Sequence, residues 1–517
     1  MPSESPTVGE ILRLQSRRRA DRPLLICDAD RISYAEADRR SAQLARGLAA
    51  LGLGKGSHVG LLYPNGSAFV VGMLAAARVG AVVVPFSTFA TARELREQLV
   101  DSDTEILLAA KSYRSHDYVQ RLAEVLPGAR LDARIFDTTA PQLRHVIFEQ
   151  QLAGSVDEAL LTAMEDDVDG SDPLAIVYTS GTTSAPKGVL HTHAALLNHQ
   201  ANLNTVRNLS DADTLFCNSP FFWIGGLGFA LLATLIAGST LVCSNSDDAG
   251  QTLDLLEAEK PTVTNGFAAG IAHLARHPSF AGRNLSSMQR GNLYPIMAPE
   301  VRPADPALRH NMLGLTEAGS VALLSADEND QPEHRRGSFG EPAPELATKI
   351  VDPENGTPVE DGALGELCIR GPCLMQRYYR RSREESFDAD GWFHTGDLVA
   401  ADSDGFIYFI RRAGSMIKTA GANVSPGEVE QAIAKVTGGA AAYVFGVPDP
   451  DRGQVVAAVV ALNDDADFDE TTLRRKLAIE LSVYKIPKRF AAVATADIPL
   501  LASGKVDMQR LKMLIDA

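Results

Sequence analysis

The chain has 517 residues, 45% of them apolar and 22% charged, so it can bury a large core and is neither a disordered chain, a fibre nor a small disulfide scaffold. Its 49 Lys and Arg stand against 65 Asp and Glu, a net charge of −16. General binding to nucleic acid or an anionic membrane is therefore disfavoured, and a bound polyanion would need a local site.

The N-terminus, MPSESPTVGE, lacks a basic stretch followed by an apolar one, so no secretory signal is expected. The longest apolar run, 70–86, is broken by Arg78 and two glycines, and a membrane span needs about 18 unbroken residues. Cys27, Cys217, Cys243, Cys368 and Cys373 are odd in number and form no CxxC pair. Buried free thiols in a reducing compartment, the cytoplasm, are expected.

From 58 to 316 the pattern alternates. Apolar, β-branched runs at 58–63, 81–86, 105–109, 174–178, 240–243 and 262–265 predict strands, and 67–79 and 253–258 carry helical spacing. Near-continuous apolar strands between helices predict parallel-rich sheets covered on both faces, an α/β class. Beyond about 345 the runs 348–351, 365–370 and 405–410 are spaced by turn-rich DPENGTP and DADG, which predicts a small antiparallel region. After Gly427 come a helix at 428–436, strands at 442–445 and 455–462, and a helix at 470–481. This is a small α+β module of about 100 residues. The boundary is expected at 411–415, giving domains 1–411 and 412–517.

The segment 176–188, IVYTSGTTSAPKG, carries the strongest chemical signal. An apolar strand runs into a loop where Gly181 lets backbone N–H groups approach an anion. Thr179, Ser180, Thr182, Thr183 and Ser184 add hydroxyl donors, and Lys187 adds a point charge. That is chemistry for a polyphosphate. It is not G-x-x-x-x-G-K-[ST], because Pro186 stands five positions after Gly181, and Gly52 and Gly54 are followed by Ser57 rather than the third glycine of G-x-G-x-x-G.

YTSGTTSAPKG resembles the phosphate loop of the acyl-adenylate-forming superfamily, which includes acyl-CoA synthetases, aryl-CoA ligases, peptide-synthetase adenylation domains and firefly luciferase. Further motifs recur in the family's order over nearly the whole chain. Gly314-Leu315-Thr316-Glu317 resembles GxTE, implying Thr316 at the AMP phosphate and Glu317 holding Mg2+. A carboxylate beside polyphosphate repels it unless a cation lies between. His394-Thr395-Gly396-Asp397, after the strand motif GELCIRGP, implies Asp397 on the ribose hydroxyls. RAGSMIKTAG and NVSPGEVE imply Arg412 on the ribose, a hinge at Gly414, and a thioester-forming face near Lys418 and Gly421. PLLASGKV implies that Lys505 bridges the substrate carboxylate and the α-phosphate.

The resemblance implies an enzyme that joins a small-molecule carboxylic acid to a thiol at the expense of ATP, with a mobile C-terminal domain that swaps its working face between steps. ATP and coenzyme A are the implied cosubstrates and Mg2+ the implied ion; a carrier-protein thiol is the other possible acceptor, and a homodimer is compatible. The implied catalytic set is Thr183, Lys187, Glu317 and Lys505. No G-x-S-x-G nucleophile is present, and the family needs none.

The chain departs from the family pattern at both substrates. Leu313 stands where an aromatic residue usually stacks on adenine, and the adenine loop reads Gly291-Asn292-Leu293-Tyr294-Pro295, with Tyr294 expected to take over stacking. Trp223 replaces the usual histidine in PFFWIGG. Phe221, Phe222 and Trp223, with Gly225 and Gly226 making room, point to a bulky apolar acid: aryl, polycyclic of terpenoid or steroid type, or fatty. Ordinary core is the competing reading of this stretch. Other readings of the chain are an enzyme making mainly the thioester from supplied acyl-AMP, a luciferase-type oxygenase, and a non-catalytic nucleotide-binding protein. Amino-acid adenylation is disfavoured, since no carrier domain is fused. His191 and His193, two apart at a helix start, do not share a face and are expected at the surface or just behind a site, not as a metal pair.

Overall fold

The computed structural model describes residues 5–150, 152, 154–179, 186–412, 416–462, 468–499 and 506–516. The chain divides into two compact units, one of Met1–Thr88, Leu99–Tyr178 and Gly188–Arg411, the other of Phe89–Gln98, Thr179–Lys187 and Arg412–Ala517.

The first unit is built on two large sheets. One has seven strands in the order Arg377–Tyr378, Lys187–Thr192, Pro173–Thr179, Val82–Pro85, His58–Leu62, Ile106–Ala109 and His145–Phe148. Its centre is parallel: His58–Leu62 pairs with both Val82–Pro85 and Ile106–Ala109, and Ile106–Ala109 with His145–Phe148. The second has six strands in the order Arg290–Gly291, Val263–Asn265, Thr214–Cys217, Thr240–Cys243, Pro23–Cys27 and Asp30–Ser33, with only the last strand shown antiparallel to its neighbour. Runs such as VVVP and ILLA are buried throughout, as strands with both faces covered must be.

The helix Ser67–Arg78 is buried at every residue but Ala68, which is why its sequence is apolar all round. Arg78 closes it at 6% exposure. A buried guanidinium needs counter-charges, and Glu165 and Asp38 supply them, with the Ser41 hydroxyl accepting at 3.1 Å. A three-stranded sheet (Leu313–Leu315, Ser320–Leu324, Glu341–Pro342) and a four-stranded one (Ala347–Val351, Gly365–Arg370, Phe393–Ala401, Ile407–Arg412) complete the unit.

In the second unit the strand Gly453–Leu462 pairs antiparallel with Ala442–Asp449 and parallel with Arg489–Ala494. Its side chains alternate between two cores. Val456, Ala458 and Val460 pack with Val429, Ile433, Leu473 and Leu477 of the helices Pro426–Thr437 and Glu470–Glu480. Val455, Ala457 and Val459 pack with Leu511 of the helix Met508–Asp516. Ser425 caps the first of these helices, Pro426 opens it and Gly438 ends it in a left-handed turn. Within this unit the buried Lys485 ammonium donates to Glu94 at 2.6 Å and Glu428 at 2.7 Å, and the Ser482 hydroxyl also donates to Glu94 at 2.6 Å. These bonds tie the Phe89–Gln98 segment to the α+β module, a grouping that local sequence pattern does not reveal.

All five cysteines are free and buried. Among the described residues, no helix is long and apolar enough to cross a membrane.

His191 and His193 are not surface residues. Both are fully buried, as is His199 nearly, because the strand Lys187–Thr192 is buried from Gly188 to His191 and the next helix starts at His193 against the core. The His193 Nδ1 accepts from the Val8 N–H at 3.2 Å, and His199 Nε2 lies 3.0 Å from the Val321 carbonyl. Burial pushes each of the three imidazoles down to about 4. Unfolded histidine titrates near 6.5, so below that the unfolded chain binds more protons than the folded one. The stabilisation is complete above about pH 6.5 and is lost as pH falls toward about 4, with a slope reaching on the order of 4 kcal/mol per pH unit if all three titrate. Urea midpoints should hold steady above about pH 7 and fall below 6.5, and His199→Gln should remove about a third of that slope. A midpoint flat down to about pH 5 would show that these imidazoles are not held neutral.

Candidate active site

The phosphate motif is flanked by two described strands. Thr179 ends Pro173–Thr179 and Lys187 opens Lys187–Thr192. Ser180, Gly181, Thr182, Thr183 and Ser184 lie outside the described residues, as do Gly414, the expected hinge, and Lys505. The backbone of Arg412 ends the strand Ile407–Arg412.

The GxTE motif sits on a tight turn. The strand Leu313–Leu315 runs into a 3-10 turn, Thr316–Ala318, closed by Gly319 in the left-handed region, and returns as Ser320–Leu324. The turn is fixed to neighbouring elements: His191 Nε2 lies 2.7 Å from the Thr316 carbonyl, and Gln200 Nε2 donates to the Gly319 carbonyl at 3.0 Å. Glu317 is only 5% exposed. Its carboxylate accepts from the Tyr378 hydroxyl at 2.7 Å, and its carbonyl accepts from the Met375 N–H at 2.8 Å.

Tyr378 is placed by the phosphate-loop strand itself. Val189 pairs with Tyr378 and Leu190 with Arg377, both antiparallel, and the Tyr379 N–H donates to the Gly188 carbonyl at 2.7 Å. The strand that begins at Lys187 therefore carries, on its far edge, the tyrosine that orients Glu317. Motif matching misses Tyr378 and Gln200, since each acts through a long-range contact and stands in a polar stretch that gives no local signal. His191, expected at the surface or just behind a site, stands behind the Thr316 turn.

Asp397 stands on a bulge. Gly365, Glu366 and Cys368 pair with Val399, Leu398 and His394, so Leu367 faces a longer stretch containing Thr395, Gly396 and Asp397. Gly396 takes φ +72 there, a conformation that a side chain resists. The bulge is held by the Thr395 hydroxyl donating to the Leu367 carbonyl at 2.7 Å and the Gly396 N–H donating to Glu366 at 2.9 Å. Asp397 itself is buried.

Of the aromatic run, Phe221 and Phe222 are buried, and Phe221 belongs to the main core with its ring edge-on to Phe69 at 5.4 Å. Trp223 and Gly225 are half-buried. Trp223 meets Phe222 at 5.4 Å and Phe267 at 5.8 Å, both edge-to-face, and precedes a helix with a π turn at Leu227–Leu232. Such turns recur at functional sites. A Cβ at Gly225 would come no nearer than 3.8 Å to another group. At Gly226 it would lie 2.1 Å from the Pro220 carbonyl oxygen, so glycine is required there by close backbone packing.

Leu313 is 2% exposed and packs in the core of the antiparallel region. Tyr294 opens a short 3-10 turn with the Arg309 guanidinium over its ring at 5.9 Å. In the second unit, Lys418 is exposed on the strand Ile417–Thr419. It is followed by a two-residue turn, Ala420 and Gly421, both at positive φ.

Residues 12–379 match the family model for AMP-binding enzymes, and residues 428–505 the model for the AMP-binding enzyme C-terminal domain. A feruloyl-CoA synthase from an Amycolatopsis species is 31% identical over 484 residues, covering 92% of each chain. A sulfoacetate–CoA ligase from Cupriavidus necator is 30% identical over 523 residues, 99% of this chain and 98% of the other. The solved structure of the amide bond synthetase McbA from Marinactinospora thermotolerans superposes with a TM-score of 0.79 at 23% identity, covering 98% of this chain and 99% of that one, which is a likeness of fold. With an ordered GxTE turn, a bulged TGD strand and both family regions in one polypeptide, the chain belongs to the AMP-binding enzymes and is an AMP-forming acid–thiol ligase.

Proposed function

We propose that the enzyme activates a bulky apolar carboxylic acid, an aryl acid foremost, as acyl-AMP and then passes the acyl group to the thiol of coenzyme A. The observation that carries the acid's class is the half-buried Trp223, walled edge-to-face by Phe222 and Phe267 beside the open Gly225. Aromatic walls favour an aromatic guest. The similarity to an enzyme named for feruloyl-CoA points the same way.

In the first step a carboxylate oxygen attacks the α-phosphorus of ATP. A P–O bond forms, the bond to the β-phosphate bridge breaks, and pyrophosphate leaves. In the proposed assignment, Lys505 neutralises the meeting anions, Thr183 and Lys187 hold the departing phosphates, Thr316 holds the α-phosphate, and Asp397 with Arg412 holds the ribose. Glu317 is the residue that would hold Mg2+, which supplies charge neutralisation at the polyphosphate when bound; a buried carboxylate with one oriented hydrogen bond suits a hard cation.

In the second step the thiolate sulfur attacks the acyl carbonyl. A C–S bond forms, the C–O bond to phosphate breaks and AMP leaves, a far better leaving group than oxide. Domains 1–411 and 412–517 would rearrange about Gly414 between steps, bringing Lys418 and Gly421 to the site in place of Lys505. A reducing cytoplasm suits the five free thiols.

Two experiments test this reading. A panel of aryl, polycyclic and straight-chain acids, scored by acyl-CoA mass, should show aryl acids turned over best; turnover confined to short or straight chains would refute the pocket assignment. Lys505→Ala should lower acyl-AMP formation at least about 100-fold while leaving thioester formation from supplied acyl-AMP within about threefold. Equal losses in both half-reactions would remove Lys505 from its assigned step.

A further inference from the structure

The four-stranded sheet brings together three metal-binding side chains outside the roles described above. Cys368 and His394 are directly paired across neighbouring antiparallel strands, and Glu366 lies two residues from Cys368 on the same face. His394 Nδ1 stands 3.4 Å from Cys368 Sγ and 2.9 Å from Glu366 Oε2, and one ligand atom from each of the three residues lies within 4.8 Å of the others.

From these distances we propose that Glu366, Cys368 and His394 form a binding site for Zn2+ or a similarly thiophilic divalent ion. Tetrahedral Zn2+ with bonds of about 2.3 Å to sulfur and about 2.0 Å to nitrogen and oxygen sets ligand edges of about 3.5 Å for S···N and about 3.3 Å for N···O. The two separations at His394 Nδ1, 3.4 Å and 2.9 Å, are within a few tenths of an ångström of those edges, and the third edge is no longer than 4.8 Å.

The surroundings fit a cation. His394 Nε2 lies 3.8 Å from the Asp388 carboxylate, the usual partner for the second nitrogen of a metal-bound imidazole. Lys349 pairs with Cys368 across the sheet, approaches Asp388 at 3.4 Å and lies over the Trp392 ring at 4.7 Å, with the Arg370 guanidinium over the same ring at 4.5 Å. The carboxylates of Glu366 and Asp388 balance these two cations, and a thiolate formed on binding adds a further negative charge. Cys368 is fully buried, while the His394 side chain is 41% exposed, so an ion would enter from the His394 side. On binding, the Cys368 S–H bond breaks, its proton passes to solvent and a metal–sulfur bond forms. His394 binds through the Nδ1 lone pair, with its proton on Nε2 toward Asp388.

The site adjoins the segment that carries Asp397, sharing His394 with it. Glu366 Oε2 faces the ion, while Oε1 holds the Gly396 N–H next to Asp397. Occupancy would therefore stiffen the bulge that carries Asp397.

The test is Co2+ titration of the chelator-treated full chain, without ATP or Mg2+, followed by Zn2+ competition. The expected result is one equivalent of Co2+ with tetrahedral visible bands and a thiolate-to-Co2+ charge-transfer band, displaced by Zn2+, with about one proton released per ion. Cys368→Ser should abolish the charge-transfer band, Cys373→Ser should keep it, and Asp388→Asn should weaken binding about 10–100-fold. A folded wild-type chain giving no charge-transfer band, or a band that survives Cys368→Ser, would overturn the proposal.

Discussion

The hydrogen bond from the Tyr378 hydroxyl to the Glu317 carboxylate fixes where negative charge sits in this enzyme. A carboxylate at 5% exposure must be compensated, and a hydrogen bond to a charged group is worth about 1.5–3 kcal/mol. Tyr378 can supply it because its strand pairs with the strand opened by Lys187. One short antiparallel pairing thus links the strand leaving the phosphate loop to the turn that carries Thr316 and Glu317. His191, on the same strand, reaches the Thr316 carbonyl, so a single strand braces the turn twice.

The segment carrying Asp397 is held differently. Asp397 lies in the bulge opposite Leu367, and Thr395 and Glu366 hold that bulge through backbone partners. Both motifs therefore depend on side chains from neighbouring strands that contact no nucleotide in the proposed mechanism. This explains why short motifs alone identify the family yet leave the positioning residues unnamed.

Much of the fold was legible in the chain. The runs at 58–63, 105–109 and 240–243 are strands because β-branched and aliphatic residues buried on both faces leave no other pattern. The helices after Ser425 and Asp469 carry their own caps. What was not legible depends on distant partners. His191 and His193 look separable by helical spacing, but one lies one residue before the end of a strand and the other starts a helix, and both are buried. Gly226 reads as room for a substrate until the Pro220 carbonyl is seen 2.1 Å from where its Cβ would stand. Phe221 reads as pocket wall but packs on Phe69 in the core, which leaves Trp223 and Gly225 as the half-buried members of that run. The attachment of Phe89–Gln98 to the α+β module through Lys485 has no sequence signature at all.

In the proposed mechanism Tyr378 orients Glu317 to receive the cation that would accompany ATP. The most direct measurement is the Mg2+ dependence of acid-dependent pyrophosphate–ATP exchange in the wild type and in Tyr378→Phe. Loss of one charge-assisted hydrogen bond predicts that the variant needs about tenfold more Mg2+ for half-maximal exchange, with the acid's KM little changed. An unshifted Mg2+ requirement in a folded variant would contradict it.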